Sequence, residues 1–154
     1  MKLAVINELP VAVHKRERWC EKRFFVPFLK RAEQKIPKHV LNRFGGGILT
    51  LSVVLVDGKV MRRLNKRFRG KDCMTDVLSF EADASQHPYR GEVVVCLSVA
   101  ARQAREYHRS VQQETALLFV HGVLHLCGYD HIKVSERKKM FALQDAILGE
   151  RMCY

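Results

Sequence analysis

Three of the chain's seven histidines fall in one short segment, VHGVLHLCGYDH, residues 120–131. Imidazole is the side chain most often used to hold a transition metal. His121 and His125 are four residues apart in the apolar run ETALLFVHGVLHLC, which reads as a helix, so both rings leave the same helical face. Gly128 can take the left-handed conformation that ends a helix and turns the chain back, which brings His131 round as a third ligand. Three neutral imidazoles suit Zn²⁺ and leave a fourth tetrahedral position for water, whose pKa the metal lowers to about 7; this is a catalytic arrangement rather than a structural one. Imidazole also suits nickel, copper and iron, so zinc is a preference. Asp130 is placed to accept the proton of a ligand imidazole and fix its tautomer.

The opposing reading is that these are core and surface histidines that happen to be neighbours, as an isolated histidine in an apolar helix usually is. Three at this spacing, with the glycine, favour the metal, because a core gains nothing from burying three imidazoles together. Cys96 and Cys127 read as small core residues and not as ligands. The spacing H-x-x-x-H-x-x-G-x-x-H is shared with metzincin proteases, whose pattern begins H-E-x-x-H. Here Gly122 stands where those enzymes carry the general-base glutamate, which argues against peptide cleavage.

The elements that must position these residues follow from periodicity. Residues 3–9 read as a strand, and ERWCEKRFFVPFLKRAEQK as one helix, bent at Pro27. ILTLSVVLV (48–56), preceded by the turn FGGGI, is β-branched and apolar, as a buried strand should be. Asp57-Gly58 reads as a turn, and Val60, Met61, Leu64 and Phe68 set the apolar face of a basic helix. DVLSFE and GEVVVCL are two more strands separated by a polar loop with His87, Pro88 and Tyr89. Ser98 is a candidate cap for the helix VAARQAREYH, and Ser110 with Gln113 forms a capping box for the histidine helix. A last helix, about 135–148, ends at Gly149. The expected fold is α+β: a mixed sheet of about four strands with helices packed on it, and the metal site on a central helix plus the following turn.

The whole chain, 1–154, is expected to form a single domain, since its length suits one core and no linker or repeat divides it. With 47% hydrophobic and 28% charged residues it has the balance of a folded globular protein. Asn7, Glu8 and Pro10 interrupt what would be the centre of a signal peptide, and the run LAVI is far too short to span a membrane. Five cysteines without a C-x-x-C pair argue against a disulfide framework and for a reducing cytoplasm. The net charge of +11 favours a polyanionic partner, nucleic acid first. Between Lys59 and Lys71 stand Arg62, Arg63, Lys66, Arg67 and Arg69, dense enough to follow an RNA backbone, although any one of them reads equally well as solvated surface. Arg102, Arg105 and Arg109 on one helix, and Arg137, Lys138 and Lys139 on the last, read as ordinary surface charge, and Phe68 and Tyr129 as packing residues before base-stacking ones.

Residues 121–131, HGVLHLCGYDH, match throughout the hallmark H-G-x-L-H-L-x-G-Y-D-H of the YbeY-type endoribonucleases of ribosomal RNA maturation, and the chain resembles that family. Residues 64–80, LNKRFRGKDCMTDVLSF, are similar to a second family block, except that Met74 stands for a usual proline; Glu81 replaces another. GEVVVCLSVAARQA (91–104) is similar to a third. The two proline replacements bear only on loop shape around that strand.

The resemblance implies a zinc-dependent endonuclease for single-stranded RNA, acting in 3′-end maturation of small-subunit (16S) rRNA and in ribosome quality control. It implies His121, His125 and His131 as metal ligands, Arg69 as a functionally important arginine, and the small ribosomal subunit as partner; a cytoplasmic monomer is expected. The chemistry agrees: phosphodiester hydrolysis needs an oxygen nucleophile and positive charge beside the phosphorane, which a His₃ metal and a guanidinium clamp supply. Two rivals stand beside this reading. A hydrolase of another substrate, peptides included, requires a carboxylate such as Glu81 or Glu92 near the metal water, and a zinc-stabilised RNA-binding module requires no catalysis at all.

Overall fold

The computed structural model of the protein describes residues 2–7, 19–41, 50–81 and 90–150. Four strands form one sheet in the order β1-β2-β4-β3: β1 (Lys2–Asn7), β2 (Thr50–Val56), β3 (Val77–Glu81) and β4 (Arg90–Cys96). β1 and β4 run parallel to β2, while β3 is antiparallel to β4 and forms an edge, with Ser79 opposite Val93. The six helices among the described residues are α1 (Lys22–Lys35), α2 (Lys38–Leu41), α3 (Gly58–Arg69), α4 (Leu97–Glu106), α5 (Val111–Leu126) and α6 (Val134–Leu148). The architecture is α+β with a mixed sheet, as the pattern of strands and helices predicts.

The alternation of side chains along β2 and β4 divides the core between two faces. Leu51, Val53, Leu55, Val93 and Val95 join the core that includes α1, α5 and α6, while Val54, Val56, Val94 and Cys96 pack with Met61 of α3 and Val99 of α4. α5 lies in the middle of the larger layer, against β3, β4, α1, α4 and α6. From Glu114 to Leu126 every residue of α5 is buried except His121 and His125, which are half-buried. Beyond its first turn, where Gln112 and Gln113 are exposed, the helix is therefore enclosed all round and open to solvent only at the two histidines.

Gly122 lets this helix come so close. A Cβ there would lie 2.6 Å from Val93 Cγ1 and 3.0 Å from Ser79 Oγ. The Ser79 hydroxyl donates to the Gly122 carbonyl at 3.1 Å. Position 122 thus faces the sheet, so a glutamate there would meet β4 and not the histidines.

Several local expectations change as well. The first long helix begins at Lys22 and includes Pro27, whereas Trp19 lies in a turn. Asp57-Gly58 is a helix start: Asp57 caps α3 by accepting the Val60 N–H at 2.9 Å, a role aspartate fills as readily as a turn position. Ser98 lies inside α4, whose N-cap is Cys96, and its hydroxyl sits 3.3 Å from the Cys96 thiol. The Ser110–Gln113 capping box is present, and Gly128 and Gly149 adopt φ of 81° and 84° after α5 and α6. The parts of the expected first helix before Trp19, the FGGGI turn and the His87–Tyr89 loop lie outside the described residues. Gly122→Ala is expected to destabilise the protein by about 1–3 kcal/mol, the usual cost of overpacking, read as a lowered urea midpoint.

Candidate metal centre

α5 and the turn after it bring the three histidines together. His121 Nε2 and His125 Nε2 are 3.0 Å apart, and the ring centroids of the three residues lie 4.6–5.2 Å from one another. One ligand atom from each falls within 4.8 Å of the others. A tetrahedral zinc with bonds of about 2.0–2.1 Å holds its nitrogens roughly 3.3 Å apart, so the donor set fits such an ion with small adjustments.

Electrostatics favour the same use. Burial, aided by the neighbouring imidazoles, depresses the pKa of His121 to about 4, and burial also lowers that of His125. Both are neutral at pH 7, the form in which an imidazole binds a metal. The His121 Nδ1 lies 3.0 Å from Gln144 Oε1 on α6, and the His125 ring is hydrogen-bonded to the Tyr129 backbone. The two Nε2 atoms, 3.0 Å apart, thus face each other where a cation would lie between them.

Asp130 does not take the part expected of it. Its Oδ1 accepts the backbone N–H of His131 at 2.7 Å, so it shapes the turn that carries the ligand. Gln144, which sequence reasoning missed, makes the imidazole contact instead; the available signal was a polar residue on the apolar face formed by Met140, Ile147 and Leu148. Cys127 is buried, and burial pushes its thiol pKa up to about 12, which makes it a poor ligand and a good core residue. Cys20, Cys73, Cys96 and Cys127 are free thiols; Cys153 lies outside the described residues.

A cleft of about 720 Å³ opens over the histidines, lined also by Arg69 and Lys71 from the end of α3 and the following loop, and by Asp76, Ser79, Glu81 and Asp130. Three carboxylates thus share the cleft, Glu81 among them, while Glu92 does not line it. The other basic residues are less uniform than the sequence implied. Arg62 and Lys66 bind Asp72 at 2.8 and 3.0 Å, and the hydrogen bond from Arg62 leads in lowering the Asp72 pKa to about 2. Arg109 is not surface charge on a helix: it follows α4 and forms a nearly buried ion pair with Glu114 at 3.2 Å. Phe68 is 55% exposed yet packs edge-on against Phe80, and Tyr129 packs against the main core.

The fold and site define an α+β protein with a three-histidine centre able to hold a metal beside a partly basic cleft. The sequence profile of the family described as Endoribonuclease YbeY matches residues 22–151, and the chain belongs to that family. It is 42% identical over 133 residues to a Bordetella avium protein named Endoribonuclease YbeY, covering 77% of this chain and 83% of that one. It is 46% identical over 97 residues to a Ureaplasma parvum protein of the same name, covering 62% of this chain. The match spans 63% of the length of that relative. A solution structure of a Thermotoga maritima protein shares the fold, with a TM-score of 0.56 and 24% identity over 96% of this chain and 89% of that one. No helix among the described residues is long and apolar enough to cross a membrane.

The depressed histidine pKa sets a pH dependence. An unfolded chain takes up a proton at the ordinary value near 6.5, whereas folded His121 resists until about 4, so protonation in between favours unfolding. Metal-free protein is expected to be fully stabilised above about pH 6.5 and to lose stability as the pH falls toward 4. Urea midpoints in the presence of a chelator check this, and His121→Gln should lessen the slope.

Proposed function

We propose that this chain is a zinc-dependent endoribonuclease that cuts single-stranded RNA, acting in 3′-end maturation of small-subunit rRNA. The observation that carries the reading is that Arg69 and Lys71 line the same cleft as His121, His125 and His131. Although Asp76, Glu81 and Asp130 share the cleft, the guanidinium of Arg69 and the ammonium of Lys71 give it two cations beside the histidine cluster, the groups a phosphodiester needs and a neutral peptide does not. The family membership supports phosphodiester chemistry, the relatives' name being that of an endoribonuclease.

The three histidines would hold zinc, which when bound supplies Lewis acidity toward a phosphoryl oxygen. The chain's own residues do the rest. Arg69 places a planar, always charged guanidinium where it pairs with two phosphate oxygens, orienting the phosphodiester and offsetting negative charge as it grows on the phosphorus. Lys71 adds a point charge that draws the backbone of the strand into the cleft. Among Asp76, Glu81 and Asp130, Glu81 is the exposed carboxylate, and its position lets it accept a proton without disturbing the hydrogen bonds that Asp76 and Asp130 make to backbone N–H groups.

These carboxylates also meet the requirement of a hydrolase for another substrate, so the test compares substrates. Purified protein with one equivalent of zinc is incubated with a 3′-extended small-subunit rRNA fragment and, separately, with unstructured polypeptide. Cleavage of the RNA alone is expected, with Arg69→Ala reducing the rate about 10²- to 10³-fold, the usual cost of removing a charge-stabilising group. Peptide cleavage without RNA cleavage, or RNA cleavage unchanged in Arg69→Ala and His125→Ala alike, would overturn the reading.

A further inference from the structure

The last helix meets the histidine cluster along one stripe. Arg137, Phe141 and Gln144 are spaced i, i+4 and i+7 and so leave α6 on the same face. Each touches the cluster. The Arg137 Nε donates to the His131 carbonyl at 3.1 Å, the Phe141 ring centroid lies 6.2 Å from that of His131, and Gln144 Oε1 lies 3.0 Å from His121 Nδ1.

Gln144 is the most telling of the three. It is 0% exposed, and its neighbours on the helix face, Met140, Ile147 and Leu148, belong to the core. Burying an amide there costs desolvation that a leucine or methionine would not incur, unless the amide is satisfied. An amide oxygen accepts hydrogen bonds and cannot donate them, so the proton in the contact belongs to Nδ1. The remaining nitrogen of His121, Nε2, then carries its lone pair toward His125, 3.0 Å away.

We propose that Gln144 is a positioning residue that holds His121 in its Nδ1-protonated tautomer and fixes the ring so that Nε2 is offered as a metal ligand. The proposal rests on the metal-centre reading above. A carboxylate at 144 would keep the same tautomer, whereas a thioether of similar length would fill the space without accepting the proton.

Wild type, Gln144→Glu and Gln144→Met are compared by two measurements. Long-range ¹⁵N–¹H NMR on the metal-free proteins reads the His121 tautomer, and competition with a chromophoric chelator reads zinc affinity; thermal unfolding of the metal-free forms verifies the fold. Wild type is expected to show Nδ1–H. Gln144→Met should lose that preference and bind zinc about 10- to 100-fold more weakly, as loss of a ligand's hydrogen-bond partner usually does, while Gln144→Glu should restore both to near wild type. Nε2–H in the wild type, or wild-type tautomer and affinity in Gln144→Met, overturns the proposal. Should wild type bind no zinc, the metal-centre reading fails, and the tautomer measurement alone decides the part of Gln144. Should Gln144→Met not fold, the wild-type tautomer decides it in the same way.

Discussion

The contact on which the rest of the structure depends is the closure of α5 onto the sheet at Gly122. Removing one side chain lets the helix backbone approach Val93 and Ser79, and the Ser79 hydroxyl secures the approach by donating to the Gly122 carbonyl. His121 precedes that point of contact and His125 follows it within one turn, so the closure sets both rings relative to the edge strand β3. Ser79 and Glu81 of that strand then wall the cleft on the side facing the histidines. A helix buried on every other side from Glu114 to Leu126 has little freedom to rotate.

Burial does two things at once for the site. It keeps the imidazoles uncharged, as the depressed pKa values of His121 and His125 show, and it makes each unsatisfied ring nitrogen costly, which ties the cluster to its supports. α6 and the turn after α5 provide those supports through Gln144, Arg137 and the Tyr129 backbone. Outside this buried centre the charge is mixed: Arg69 and Lys71 reach the cleft, while Asp72 engages Arg62 and Lys66 on the exposed helix. The effective positive field at the site is therefore narrower than a net charge of +11 implies.

What was legible in the sequence was what local spacing controls. The i, i+4 histidines, the Ser110–Gln113 box and the glycines closing α5 and α6 all depend on residues within a few positions of one another. What was not legible depends on partners distant in the chain. Gln144 is 23 residues from His121, and only packing of α6 on α5 brings them together. Gly122 looked like the absence of a glutamate, yet its use is to make room for Val93. Asp57-Gly58 reads as a turn in the sequence, yet Asp57 caps the helix that follows, a role the dipeptide alone does not reveal. Arg109 looked like surface charge because its partner, Glu114, belongs to the next helix.

The central claim is that His121, His125 and His131 together hold one metal ion. An anomalous-difference map at the zinc edge, from a crystal grown with zinc, tests it most directly. One peak about 2.0–2.1 Å from a nitrogen of each of the three rings is the result expected for a His₃ site. No peak among the rings, or a peak held by carboxylates elsewhere in the cleft, would contradict it.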